Sequence, residues 1–159
     1  MKKYMFLFVS VLFLLGVGMA ACSSDEEGGN DNNIITPVAN MSNEVKNFFD
    51  EEVANNAFIL ENPNGVVAVN SISELEDIYE GEKPFPDIDF SKYTLIIGEK
   101  TMPSGGYYVN RQELNIKLNT LNVYLKNDLD YRPQVLTHLY FWGLYPKYGK
   151  NISLNVITD

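Results

Sequence analysis

Few side chains in this 159-residue chain have the chemistry to make or break a bond. There is one histidine, His138, and one cysteine, Cys22. A Ser-His-Asp triad would need His138 near a serine on a strained turn, and no Gly-x-Ser-x-Gly elbow is present. One histidine and one cysteine do not make a zinc site. Asp87, Asp89 and Ser91 have the alternate spacing of the first ligands of a calcium loop. They lack the glycine and the distal bidentate glutamate that such a loop requires, so a solvated turn is expected. Asn127-Asp-Leu-Asp130 also reads as a polar turn. No glycine-rich loop opens a helix to cradle phosphate. The expectation is a non-enzyme, with no catalytic residue, no metal and no cofactor.

Recognition is the remaining chemistry, and two stretches offer it. The first is Met102-Pro-Ser-Gly-Gly106-Tyr107-Tyr108. Pro103 holds φ near −65° and has no amide hydrogen, while Gly105 and Gly106 tolerate positive φ. A turn is therefore expected between a buried strand, Tyr93-Thr-Leu-Ile-Ile97 ending at Gly98-Glu99, and a second strand opening at Tyr107. The second stretch holds Tyr140, Phe141, Trp142, Tyr145 and Tyr148. Strand alternation sends Tyr140 and Trp142 to one face and Phe141 to the other. Packing is the expected role of this cluster, with Trp142, Tyr140 and Tyr145 the candidates for stacking on a sugar ring.

Gly98-Glu99-Lys100, followed by Ser104-Gly-Gly-Tyr107 and an alternating strand, resembles the core of the PrcB C-terminal-like family. That family takes its name from a lipoprotein associated with a surface protease complex. The resemblance covers Asp89 to the C-terminus and implies a protease-associated binding domain. Pro103, Ser104, Gly106 and Tyr107 also resemble the cleft-plugging loop of chagasin-type cysteine protease inhibitors. Arg132-Pro133 is similar to a second loop of those inhibitors. Met102 stands where they carry asparagine, and their intervening glycine-rich loop is absent. The partner-binding residues implied are Met102, Pro103, Ser104, Gly105, Gly106, Tyr107, Tyr108, Arg132 and Pro133.

The first residues have the form of an export signal. Lys2 and Lys3 precede an apolar run from Tyr4 to Val17, and Gly18-Met-Ala-Ala21 leads to Cys22. Met19-Ala-Ala-Cys22 looks like a bacterial lipobox, which makes Cys22 the expected lipidation site after removal of residues 1–21. Ser23-Ser-Asp-Glu-Glu27 looks like the surface-export signal of Bacteroidetes-type lipoproteins. Gly28-Gly-Asn-Asp-Asn-Asn33 follows as a flexible spacer, so residues 22–33 form a tether. The expected location is the outer membrane, exposed at the surface, with the periplasmic face as the alternative. Without Lys2 and Lys3, ten basic against 21 acidic side chains leave a balance of −11. Such a domain should avoid nucleic acid and anionic lipid, leaving the lipid anchor as its contact with membrane.

Residues 34–159 suffice for one domain. Ser42 caps a predicted helix through Val53 with Val45, Phe48, Phe49 and Val53 on one face. Val66–Val69 reads as a strand after Gly65. Ser71-Ile-Ser-Glu74 matches a capping box opening a second helix, with Ile72, Leu75, Ile78 and Tyr79 inward and Gly81 closing it. Lys83-Pro-Phe-Pro86 is expected to be extended. In Glu113–Lys126 the apolar phase changes across Asn119-Thr120, predicting a two-residue hairpin loop. Leu118 would then face Leu121, Ile116 would face Val123, and Leu114 would face Leu125. Ile152, Leu154 and Val156 alternate in a last strand. The expected fold is α+β: one β-rich domain, an antiparallel sheet or sandwich with two short N-terminal helices. The expected function is a non-catalytic protein-binding lipoprotein, protease-associated or protease-inhibiting. The alternatives are a glycan-binding surface lipoprotein and a structural subunit of an envelope assembly.

Overall fold

A continuous run of β-branched and apolar residues is stable as a strand only when both of its faces are covered. The computed structural model describes residues 33–129, 134–149 and 151–158. In it, the run at Tyr93 opens β3 (Tyr93–Met102), and Thr94 through Glu99 are all buried. The strand does not stop at Gly98-Glu99. Its ladder with β6 (Thr137–Pro146) continues from Tyr93↔Pro146 to Met102↔Thr137 and carries it through. On its other edge lies β2 (Val66–Val69), giving an antiparallel three-stranded sheet in the order β2-β3-β6.

The second sheet has four strands in the order β1-β4-β5-β7. They are β1 (Ile34–Ile35), β4 (Tyr107–Asn115), β5 (Thr120–Asn127) and β7 (Ser153–Thr158). β4 and β5 form the expected hairpin, but four residues out of the expected register. Leu114 faces Leu121, and Val123 faces Gln112 instead of Ile116. The side chain of Asn115 accepts the amides of Lys117 and Leu118, and Asn119 takes φ 53°, so the turn is longer than two residues. An even slip preserves the strand face, and Leu114, Leu121, Val123 and Leu125 are buried together. Leu118 is left in the turn, 66% exposed. β7 pairs with β5 in parallel, the exception to the antiparallel pattern.

Helices cover the outer side of the three-stranded sheet. Ser42 caps α1 (Asn43–Ala54) by accepting the Val45 amide, and Val45, Phe48, Phe49 and Val53 are its apolar buried face. They pack with Leu95, Ile97 and Leu144 of the sheet. α2 (Ile72–Glu76) is shorter than its apolar stripe suggested. Ser71 accepts the Glu74 amide, but the Glu74 carboxylate takes the Asn70 amide at 2.6 Å, one residue early for a capping box. Ile78 and Tyr79 lie beyond the helix, Ile72 is exposed, and Asp77, not Gly81, is the C-cap. Tyr79 bridges instead to Phe58, and its ring lies over Gly81.

Between the sheets a second core joins Ile96, Met102, Phe141 and Tyr145 to the buried leucines and Val123 of the hairpin. The alternation in β6 is as expected: Tyr140 and Trp142 pack on the helical side, Phe141 on the other. Polar ties cross this core. The Gln112 carboxamide donates to the Trp142 carbonyl at 2.9 Å and accepts from the Tyr145 hydroxyl at 3.3 Å. Burial pushes the Tyr145 phenol above its ordinary range. The Tyr148 amide donates to Thr94 Oγ1 at 2.8 Å, and the Tyr148 hydroxyl reaches Asn119 in the turn.

Gly98 sits directly opposite Phe141, and a Cβ there would stand 2.3 Å from the ring. Gly98→Ala should therefore destabilise the domain by about 1–3 kcal/mol in urea unfolding, the usual cost of overpacking. Adding Phe141→Leu should recover part of that loss. A Gly98→Ala variant as stable as the wild type would show that the ring does not need this space.

Candidate functional site

β3 and β4 belong to different sheets, so residues 103–106 form a crossover between them, not a hairpin loop. The crossover is fastened down. Gly106 takes φ 86°, and a Cβ added there would stand 2.4 Å from Leu129. Asn127 Nδ2 donates to the Gly105 carbonyl at 3.0 Å, and Thr137 Oγ1 donates to the Ser104 carbonyl at 3.0 Å. Met102 and Ser104 are buried, which removes their side chains from any contact surface. Tyr107 is half-buried and packs against the core between the sheets. Pro103, Gly106 and Tyr108 are exposed, with the Tyr108 hydroxyl donating to Asp128 at 2.6 Å. Asp128 and burial push that phenol upward, the hydrogen bond being the larger cause. Arg132 and Pro133 lie outside the described residues, as do Cys22, the expected signal at residues 1–21 and nearly all of the expected tether.

This pole of the domain displays apolar side chains that the motif reading missed. Leu136 is 71% exposed, Val135 60% and Leu129 48%, beside the expected Tyr108 at 42%. Leu129 borders Gly106, and Val135-Leu136 lead into Thr137, whose hydroxyl holds Ser104. Pro103, Tyr108, Leu129, Val135 and Leu136 thus form an apex around the crossover. The available signal was Val135-Leu136 itself, an apolar pair with no alternation partner just before a strand. The chain enters the domain at the other pole. β1 pairs with Leu114 and Asn115, the end of β4 farthest from Tyr107. A nine-residue strand separates those ends by about 27 Å.

A cleft of about 620 Å³ opens at the seam between β4 and β6. Trp142 forms one wall, with Phe49 packed against it at 5.0 Å between ring centroids. Its indole N–H donates to Asp50 Oδ1 at 3.0 Å, and Asp50 also pairs with Lys46. Asn110, Arg111 and Gln112 face Trp142 from the bulged part of β4. Of the three sugar-stacking candidates, Tyr145 is completely buried and cannot stack on anything. Tyr140 is half-buried beside α1, and only Trp142 lines the cleft.

Two titratable clusters lie on the helical side. His138 Nδ1 is 2.5 Å from Glu99 Oε1, and the histidine is about half exposed. Burial first and then the same carboxylate push the Tyr140 phenol up. Among the described residues no serine or cysteine joins them in a hydrogen bond, and His138 is paired with the carboxylate of the buried Glu99. Asp89 is held at about 2 by Lys92 and then Ser91, as in the solvated turn expected there. Among the described residues no group of acidic, histidine or cysteine side chains has metal-site geometry.

Glu52 is the unexpected one. It is a carboxylate on α1, yet it is buried, accepting from Tyr79 at 2.8 Å and pairing with Lys83 at 3.1 Å. The Tyr79 bond, followed by Lys83, holds its carboxyl below the ordinary 4.5 despite the opposing effect of burial. The charge is unevenly spread around these clusters. Residues 34–92 carry twelve acidic and three basic side chains, residues 93–159 five acidic and seven basic. The helical side is therefore the acidic one. No family model, curated protein or solved structure matches the chain.

A carboxyl with a lowered folded-state pKa stabilises the fold fully above its unfolded value, and that stabilisation is lost as pH falls through the folded value. At neutral pH, Glu52→Gln should cost about 1–3 kcal/mol, the scale for a hydrogen bond to a charged group. The difference from the wild type should shrink steadily below pH 4.5. Denaturation at several pH values checks this, and a difference that stays constant down to the acid limit would rule out the carboxylate as its source.

Proposed function

We propose that this chain is an exported lipoprotein whose domain binds another protein and catalyses nothing itself. Cys22 is the anchoring residue in this reading, and residues 22–33 are the tether. The observation that carries the binding function is the exposed apolar apex of Pro103, Tyr108, Leu129, Val135 and Leu136. Exposed apolar side chains around one crossover favour a protein partner, since leaving them in water costs free energy. The crossover beside them is held by Asn127 and Thr137, which limits the entropy that its own residues lose on binding. The apex is also the pole farthest from the point where the tether joins. The resemblance of Gly98-Glu99-Lys100 and Ser104-Gly-Gly-Tyr107 to the PrcB C-terminal-like family makes a secreted or surface protease the partner class.

A sugar-binding reading has one supporting observation, the position of Trp142 on the cleft wall. It has lost Tyr145 to the core.

The test uses the detergent-solubilised full chain beside a Val135→Asp/Leu136→Asp variant. Both positions are exposed, so surface substitution should leave thermal stability almost unchanged. Wild type should capture a protease from envelope extract, identified by its activity, and the variant should lose at least about 2 kcal/mol of affinity. Equal capture by both would remove the apex, and capture of no protease would remove the partner class. Cys22→Ser should move the protein from the membrane to the soluble fraction; retention in the membrane would sink the anchor.

A further inference from the structure

We infer that the seam between β4 and β6 accepts an extended peptide segment from a partner protein, at a site separate from the apex. The two strands face each other across the cleft without pairing, and across the mouth the Gln112 side chain spans the gap. In an antiparallel strand the outward-pointing backbone groups recur at every second residue. On β6 the Trp142 and Leu144 carbonyls point into the seam. Each is met by something other than a strand. The Leu144 carbonyl accepts the amide of Val38 at 2.7 Å. The Trp142 carbonyl accepts the Gln112 carboxamide, which stands where the amide of an added strand would lie.

The protein already shows what fits. Its own Thr36-Pro-Val-Ala39 lines one side of the cleft, outside any strand. Val38 makes the first rung of strand addition, and Pro37 rests on Gly143, where a Cβ would stand 3.2 Å from its ring. The seam therefore takes main chain plus small or β-branched side chains at close range. Beyond this resident segment the cleft continues over Phe141, Trp142 and Val109. The bulge between Val109 and Arg111 breaks the β4–β5 ladder there, at the cleft wall. An extended chain entering in place of the resident segment would meet an apolar floor and a polar rim of Asn110, Arg111 and Lys46. Peptides that add to a strand edge gain affinity from main-chain bonds and selectivity from pockets for alternate side chains. The occupant is thus an extended partner segment with apolar residues at alternate positions.

Trp142 is the only tryptophan of the chain and lines the cleft, so all tryptophan emission comes from the cleft wall. The probe is acetyl-Ile-Ile-Thr-Pro-Val-Ala-amide, a copy of Ile34–Ala39, titrated into the full chain with maltohexaose as a parallel arm. A saturable change in emission with the peptide, absent with maltohexaose, is the expected result. Val38→Pro removes the amide that fastens the resident segment, and freeing the seam should tighten peptide binding by about threefold or more. Leu136→Asp at the apex should leave the titration unchanged. No saturable response in wild type would overturn the inference. So would a response to the sugar in place of the peptide, or loss of the response in the apex variant.

Discussion

Burial of β3 on both faces sets the terms for the rest of the domain. From Thr94 to Glu99 no residue touches much water, so one face needs a helical cover and the other needs a second sheet. Leu95 and Ile97 meet Phe48 and Phe49 of α1, while Ile96 meets the leucines of the hairpin. Gly98 completes the arrangement by leaving room for Phe141, the largest side chain of the inner core to lie directly across from a glycine. The order helix, three strands, four strands follows from that central requirement.

The two sheets are joined by more than apolar contact. Gln112 and Tyr145 put hydrogen-bonding groups inside the sandwich and bond to each other's sheet across it, while Thr94 ties β3 to Tyr148 just beyond β6. A buried polar group without a partner costs roughly 1–3 kcal/mol, so such ties penalise any misaligned stacking of the sheets. At one pole they fix the Asn119 turn, and at the other Asn127 and Thr137 fix the crossover. The apolar apex and the seam are consequently held on a stiff frame, which suits recognition better than chemistry.

Local periodicity carried much of this fold in advance. α1 and its cap, β2, the start of β3 and the inward face of the hairpin were legible from spacing alone. Register was not, because Asn115 starts a longer turn that competes with Asn119-Thr120, and a slip of four residues leaves the apolar face intact. The length of α2 was overestimated because Ile78 and Tyr79 continue the helical spacing while serving a bridge to Phe58. Burial of Glu52 depends on Tyr79 and Lys83, which are distant in sequence, so no local pattern could announce it. The parallel placement of β7 depends in the same way on which edge is vacant. At the apex the crossover loop was visible as a motif, but Met102 and Ser104 turn inward because the loop joins two sheets. Val135 and Leu136, its most exposed neighbours, belong to no motif at all.

The parallel pairing of β7 with β5 also bears on the order in which the domain can assemble. A parallel pair cannot close through a tight turn, and here the chain makes the β6 ladder in the other sheet before returning. β1, at the opposite edge, must wait for β4 in the same way. Both outer strands of the larger sheet are therefore long-range additions to the β4–β5 hairpin, the local pairing of that sheet. Such topologies fold slowly, because loop-closure entropy is lost before the contacts that offset it can form. Slow closure keeps both flanking edges of the hairpin open in the newly made chain, a state compatible with threading through a membrane channel and prone to self-association if it lingers.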